Sequence, residues 1–195
     1  MAQQIKSAAK WADLRLPAEV VAKLKEICGQ VKESRKANPG TGLTILFSGP
    51  SGTEKSKAAE VIANELRLDL CPMDLAGIVN KGQTEKNLQR AFDGAATTRT
   101  IVIFDEGKSL FDKRSEVKSA DDRCTNFDVG YLLDRIESHK GLVILALNSP
   151  TNMDQAFVRR LRFTVEFPTP TAEEREGIWG THVPTTSNKP SPKKP

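Results

Sequence analysis

Apolar residues fall into two periodicities along this chain. Four runs are largely unbroken: Leu43–Phe47, Leu68–Met73, Ile101–Phe104 and Leu142–Leu147. Short runs of this kind suit strands buried on both faces, and so a parallel sheet. Arg162 to Phe167 alternates and predicts a further strand. Between these runs apolar positions recur every three or four residues. Val20, Val21, Leu24, Ile27, Cys28 and Val31 predict a helix with Pro17 at its first position, and the turn cluster Asn38-Pro39-Gly40 ends it. Lys57 to Leu66 reads as a second helix through Ala58, Ala59, Val61, Ile62, Ala63 and Leu66. Thr84 to Ala96 reads as a third, with Thr84 as its N-cap and Leu88, Ala91, Phe92 and Ala95 facing inward. Phe127–Ile136, Asn152–Arg160 and a run starting at Thr171 are further helix candidates. Strands alternating with helices predict an α/β fold: a central, mostly parallel five-stranded sheet with helices on both faces.

Ligands of such sheets bind at the carboxyl ends of the strands, and those ends carry the chemistry-bearing residues. After Leu43–Phe47 comes Gly49-Pro50-Ser51-Gly52-Thr53-Glu54-Lys55-Ser56, and then a helical run. Strand, glycine-bearing loop and helix is the context of a phosphate-binding loop, whose backbone N–H groups cradle phosphates at a helix N-terminus. Lys55 would reach the β- and γ-phosphates of ATP, and the Ser56 hydroxyl would hold Mg²⁺. Asp105-Glu106 ends the Ile101–Phe104 run. Asp105 fits a metal-orienting position and Glu106 a general base for water. Asn148, at the end of the next run, would bond the same water or the γ-phosphate. Arg159, Arg160 and Arg162 form a cationic cluster. Taken singly, each of these has a plain structural reading as a turn, a solvated strand end or a surface patch.

One residue breaks the loop pattern. Glu54 stands where G-x-x-x-x-G-K-[ST] has glycine. The position needs close backbone approach and an unusual φ, and a carboxylate there faces a polyphosphate. Like charges about 4–5 Å apart repel by roughly 1–4 kcal/mol at effective dielectrics of 80 to 20. Affinity would fall about tenfold to a thousandfold, unless the side chain swings outward.

Composition narrows the rest. The 195 residues carry a net charge of +4, with no basic-aromatic platform of the kind that stacks nucleic acid. No apolar run approaches the roughly 20 residues that span a bilayer, and Met1–Leu16 lacks a signal-peptide core. Cys28, Cys71 and Cys124 have no metal-like spacing and read as reduced thiols of a cytoplasmic protein. His139 and His182 form no cluster, so the sequence offers no zinc site.

In order, these stretches resemble the AAA-type module of the AAA+ ATPases, from about Trp11 to Trp179. FSGPSGTEKSKAAEVIANEL is similar to the family's Walker A strand, loop and helix, and IVIFDEGKSLFDKR to its Walker B segment. VILALN resembles the sensor-1 strand with Asn148 at the sensor position, and MDQAFVRRLRFTVEFPTP the second region of homology. The resemblance implies a P-loop NTPase core that binds Mg·ATP through Gly49, Pro50, Ser51, Gly52, Thr53, Glu54, Lys55 and Ser56. It implies catalysis by Glu106 and Asn148, with Arg159 and Arg162 acting on a neighbouring subunit in a ring, usually a hexamer, that remodels a protein partner. Small bacterial AAA ATPases found with phage-like contractile injection systems are similar in particular. The expected layout is an N-terminal segment 1–16, the nucleotide-binding core 17–170, a lid remnant 171–180 and a Pro/Lys-rich disordered tail 181–195.

The departures from the family bear on mechanism. Besides Glu54, the pore loop is shortened to Lys81-Gly82-Gln83 without an aromatic, Gly107-Lys108 follows Glu106, and the helical lid is nearly missing. Two readings follow: an ATPase of weak turnover, or a non-catalytic AAA-type interaction module with little or no nucleotide turnover.

Overall fold

The computed structural model describes residues 4–38, 42–74, 84–94, 99–105, 131–148, 161–171 and 175. Strands β1 (Leu43–Ser48), β2 (Asp69–Asp74), β3 (Thr100–Asp105), β4 (Leu142–Leu147) and β5 (Phe163–Glu166) form one sheet in the order β2-β3-β4-β1-β5. Each neighbouring pair is parallel. Among the described residues the helices are α1 (Ala18–Ala37), α2 (Lys55–Leu66), α3 (Thr84–Gly94) and α4 (131–138). A short 3₁₀ turn, Trp11–Asp13, precedes α1.

Side-chain alternation along each strand divides the core into two layers. Ile45, Phe47, Ile101, Ile103, Leu142, Ile144 and Ala146 pack on one face with α1 and α2. Leu46, Val102, Phe104, Val143, Leu145 and Leu147 pack on the other with Leu88 and Phe92 of α3 and Leu132 and Ile136 of α4. The central strands β1, β3 and β4 are largely apolar because both faces are covered, whereas β5 at the sheet edge buries Val165 and exposes Thr164 and Glu166. Pro72 is tolerated because β2 lies at the sheet edge. Leu70, two residues earlier, exchanges both backbone hydrogen bonds with Ile5 on that outer edge (2.7 and 2.9 Å).

Several boundaries differ from expectation. Pro17 caps α1 from outside, its carbonyl accepting from the N–H groups of Val20 and Val21, and the helix begins at Ala18. Helix α2 starts at Lys55, two residues earlier than its apolar pattern indicates, because the Ala58 N–H already bonds the Glu54 carbonyl at 2.8 Å. It ends on Arg67 in the left-handed region, where Arg67 N–H to Asn64 O and Leu68 N–H to Ala63 O close the last turn. β2 is shifted one residue along, to Asp69–Asp74, and β5 is shorter than Arg162–Phe167. Helix α4 runs two residues past Ile136. The helix candidate 152–160, the pore loop 81–83 and the tail 181–195 lie outside the described residues, as does 171–180 except for Thr171 and Arg175.

Candidate functional site

The parallel register brings three strand ends to one edge of the sheet. Ser48 is level with Leu147, and Phe104 is level with Leu145. Asp105, the last residue of β3, therefore stands on the same edge beside β4, which separates it from β1. The chain leaves β1 there as the loop 49–54 and turns into α2.

That loop is built from positive φ angles: Gly49 at +152°, Gly52 at +80° and Glu54 at +61°. A left-handed residue beside a right-handed one is the backbone pattern of an anion nest, and Glu54 (φ 61°, ψ 22°) stands in that relation to the first turn of α2. Its start is clamped. The Gly49 N–H donates to Leu147 O at 3.1 Å, and a Cβ on Gly49 would fall 2.2 Å from Phe167 O. Thr53, 2% exposed, donates its hydroxyl to Pro50 O at 2.8 Å and pins the loop across its width.

Lys55 is the centre of the site. It is only 6% exposed, although it carries an ammonium group. Its Nζ donates to Gly49 O and Pro50 O at 2.7 Å each, and lies 3.4 Å from Thr53 Oγ1 and 3.3 Å from Asn148 Oδ1. Lys55 and Asn148 are 93 positions apart, so this contact is the tertiary test of the site. The fold sets Lys55 against Asn148, and β3 ends at Asp105 on the same edge of the sheet. Ser56 follows on the first turn of α2 and is exposed.

Glu54 adopts the left-handed conformation that the pattern reserves for glycine. Such a conformation costs an ordinary residue roughly 1–2 kcal/mol. Its carboxylate does swing outward: Oε2 accepts the backbone N–H of Arg15 at 2.5 Å. Sequence reasoning missed Arg15, and also the carbonyl of Phe167 against Gly49. Both act through backbone atoms, which leave no side-chain signature.

Arg162 is exposed, with its guanidinium 5.7 Å from the Phe163 ring centroid. It precedes β5, at the amino end of the strand, so the fold does not bring it to the cradle of its own chain. Glu106 and Arg159 lie outside the described residues. A cavity of about 220 Å³ sits at the opposite end of the sheet from the loop, lined by Phe92, Asp93, Arg135, Ser138, His139, Lys140 and Gly141.

The loop fits a nucleotide polyphosphate on its chemistry: positive-φ turns, a buried Lys55 ammonium and a helix N-terminus. Toward a divalent cation, Ser56 offers a hydroxyl oxygen on the first turn of α2. Among the described residues no helix is long and apolar enough to cross a membrane.

Residues 45–171 match the family model described as "ATPase family associated with various cellular activities (AAA)". The chain is 30% identical over 161 residues to the ATPase family AAA domain-containing protein 3A homolog of Drosophila melanogaster, covering 80% of this chain and 26% of that protein. It is 31% identical over 145 residues to the Cell division cycle protein 48 homolog of Archaeoglobus fulgidus, covering 71% of this chain and 20% of the relative. The chain thus spans about a quarter or less of these relatives. They come from an animal and an archaeon and lend no support to a bacterial placement. The solved AAA domain of FIGL-1 superposes with a TM-score of 0.69 over 91% of this chain and 61% of that one, at 21% identity, a likeness of fold.

Proposed function

The chain belongs to the AAA ATPase family, and on that premise we propose that it binds Mg·ATP in the β1–α2 cradle and hydrolyses it slowly to drive remodelling of a protein partner. The observation that carries the reading is the Lys55 ammonium, buried in the loop and in contact with Asn148 from β4. Phosphate oxygens take the place of the loop carbonyls on that ammonium, and the loop amides bond the remaining phosphate oxygens. Ser56 and Asp105 would hold Mg²⁺, which offsets phosphate charge. Glu106, next in sequence to Asp105, accepts a proton from the attacking water, and Asn148 orients that water or the γ-phosphate. Arg159 and Arg162 complete the site of a neighbouring copy, which makes a homo-oligomeric ring, a hexamer by family likeness, the working unit. Cytoplasmic location belongs to the same reading.

A non-catalytic AAA-type interaction module is the second reading, favoured by a carboxylate at the glycine position. Titration with a fluorescent ATP analogue and Mg²⁺, followed by a phosphate-release assay, separates the two. The first reading expects saturable binding and slow turnover that Glu106→Gln abolishes. Binding without turnover in the wild type establishes the second reading, and turnover that survives Glu106→Gln removes Glu106 from its role.

A further inference from the structure

The residues preceding α1 are laid along the molecule as a strap. Ile5 pairs with Leu70 on the outer edge of β2. Asn64 of α2 donates its side-chain amide to Ala9 O at 2.8 Å. The Trp11 indole donates to Glu65 at 3.0 Å, and the Lys25 ammonium lies 5.5 Å from its ring centroid. Leu14 is buried in the core layer that holds α1 and α2. One residue later the strap meets the phosphate loop, where the Arg15 N–H donates to Glu54. One continuous segment therefore runs along α2 from the sheet edge to the cradle.

This contact gives the glycine-to-glutamate departure a use. Glu54 is backbone to the cradle, while its carboxylate is held by the strap on the outside. A triphosphate in the cradle repels that carboxylate, and outward is where the Arg15 N–H waits. With the strap seated, the charge is parked away from the phosphates. With the strap lifted, the carboxylate is free to turn toward them and weaken their binding. Resting on the nucleotide-binding reading above, we propose that Glu54 is a positioning residue that couples docking of the 4–16 strap to occupancy of the phosphate cradle. The coupling is positive and reciprocal, as linkage requires: nucleotide tightens the strap, and the seated strap tightens nucleotide.

Two measurements on the full chain test this. Without nucleotide, amide exchange at Arg15 and the rate of tryptic cleavage after Arg15 are compared for wild type, Glu54→Ala and Glu54→Gln. Glu54→Ala is expected to accelerate both at least about fivefold, the loss of one modest hydrogen bond. Glu54→Gln, which keeps an acceptor oxygen, is expected to stay within about twofold of wild type. Equal rates in all three overturn the latch whether or not the protein binds ATP. With Mg·ATP, Arg15→Pro, which deletes the donor, is compared with Arg15→Ala, which keeps it, in both the Glu54 and the Glu54→Gly backgrounds. Arg15→Pro is expected to bind about three- to tenfold more weakly than Arg15→Ala when Glu54 is present, and equally when it is glycine. The same ratio in both backgrounds overturns the coupling. Should wild type and Glu54→Gly both fail to bind Mg·ATP while Glu54→Ala still frees Arg15, the nucleotide-binding reading falls and takes the coupling with it, leaving a structural latch.

Discussion

Replacing Gly49 by alanine tests whether the phosphate loop is held from both sides. The added Cβ would lie 2.2 Å from Phe167 O and 2.9 Å from Phe167 Cβ, far inside contact distance. Neither side yields easily. Phe167 is fully buried, its N–H donates to Ser48 O at 2.6 Å, and its ring packs 4.9 Å from that of Phe47. Gly49 is itself fixed by the Leu147 carbonyl and by its own carbonyl on Lys55. Forcing a side chain into a tight interior costs about 1–3 kcal/mol, and a non-glycine residue at so unusual a backbone angle about 1–3 kcal/mol more. The expected loss is roughly 2–6 kcal/mol, against a total stability of about 5–15 kcal/mol. Urea unfolding followed by circular dichroism measures it. Gly52→Ala is the matched control: φ is +80°, yet nothing lies within 4 Å of the new Cβ. Only backbone strain remains there, about 1 kcal/mol. A Gly49→Ala loss no larger than that of Gly52→Ala would refute the clamp, because the steric contribution would then be absent.

Lys55→Met keeps the length of the side chain and removes its charge. Mg·ATP affinity should fall about 10- to 100-fold, the range of one or two charge-assisted hydrogen bonds, and unchanged affinity in the same titration places the phosphates elsewhere. Burial, and then the neighbouring Arg135 charge, lower the pKa of His139 from its ordinary 6.5. The unfolded chain then binds the proton more readily, so this stability is complete above pH 6.5 and is lost as pH falls through 6.5 toward the depressed value. Denaturation midpoints of wild type should fall more steeply below pH 6.5 than those of His139→Asn, and parallel slopes contradict the assignment. Burial, followed by the Glu65 charge, pushes the Cys28 thiol up to about 12. Peptide mapping after maleimide treatment at about pH 8 should find Cys28 unmodified until the protein is unfolded. Labelling at the rate of a free peptide thiol would show that it is accessible.

The strand runs and helix periodicities determined the α/β class and the two-faced sheet, because burial on both faces leaves a strand no polar position to hide. Gly49–Ser56, Asp105 and Asn148 were legible as candidates, since each stands where an apolar run stops. Their meeting was not legible. Lys55 touches Asn148 only because β4 pairs with β1, two strands far apart in the chain whose adjacency no local pattern writes. Helix starts were misplaced by one or two residues at Pro17 and Lys55, where capping carbonyls rather than apolar side chains decide the boundary. Glu54 was visible as a fault in a motif, and its charge made repulsion the natural inference. Its direction came from the tertiary structure alone, because the partner is the backbone N–H of Arg15, a group every residue but proline carries and no sequence pattern marks.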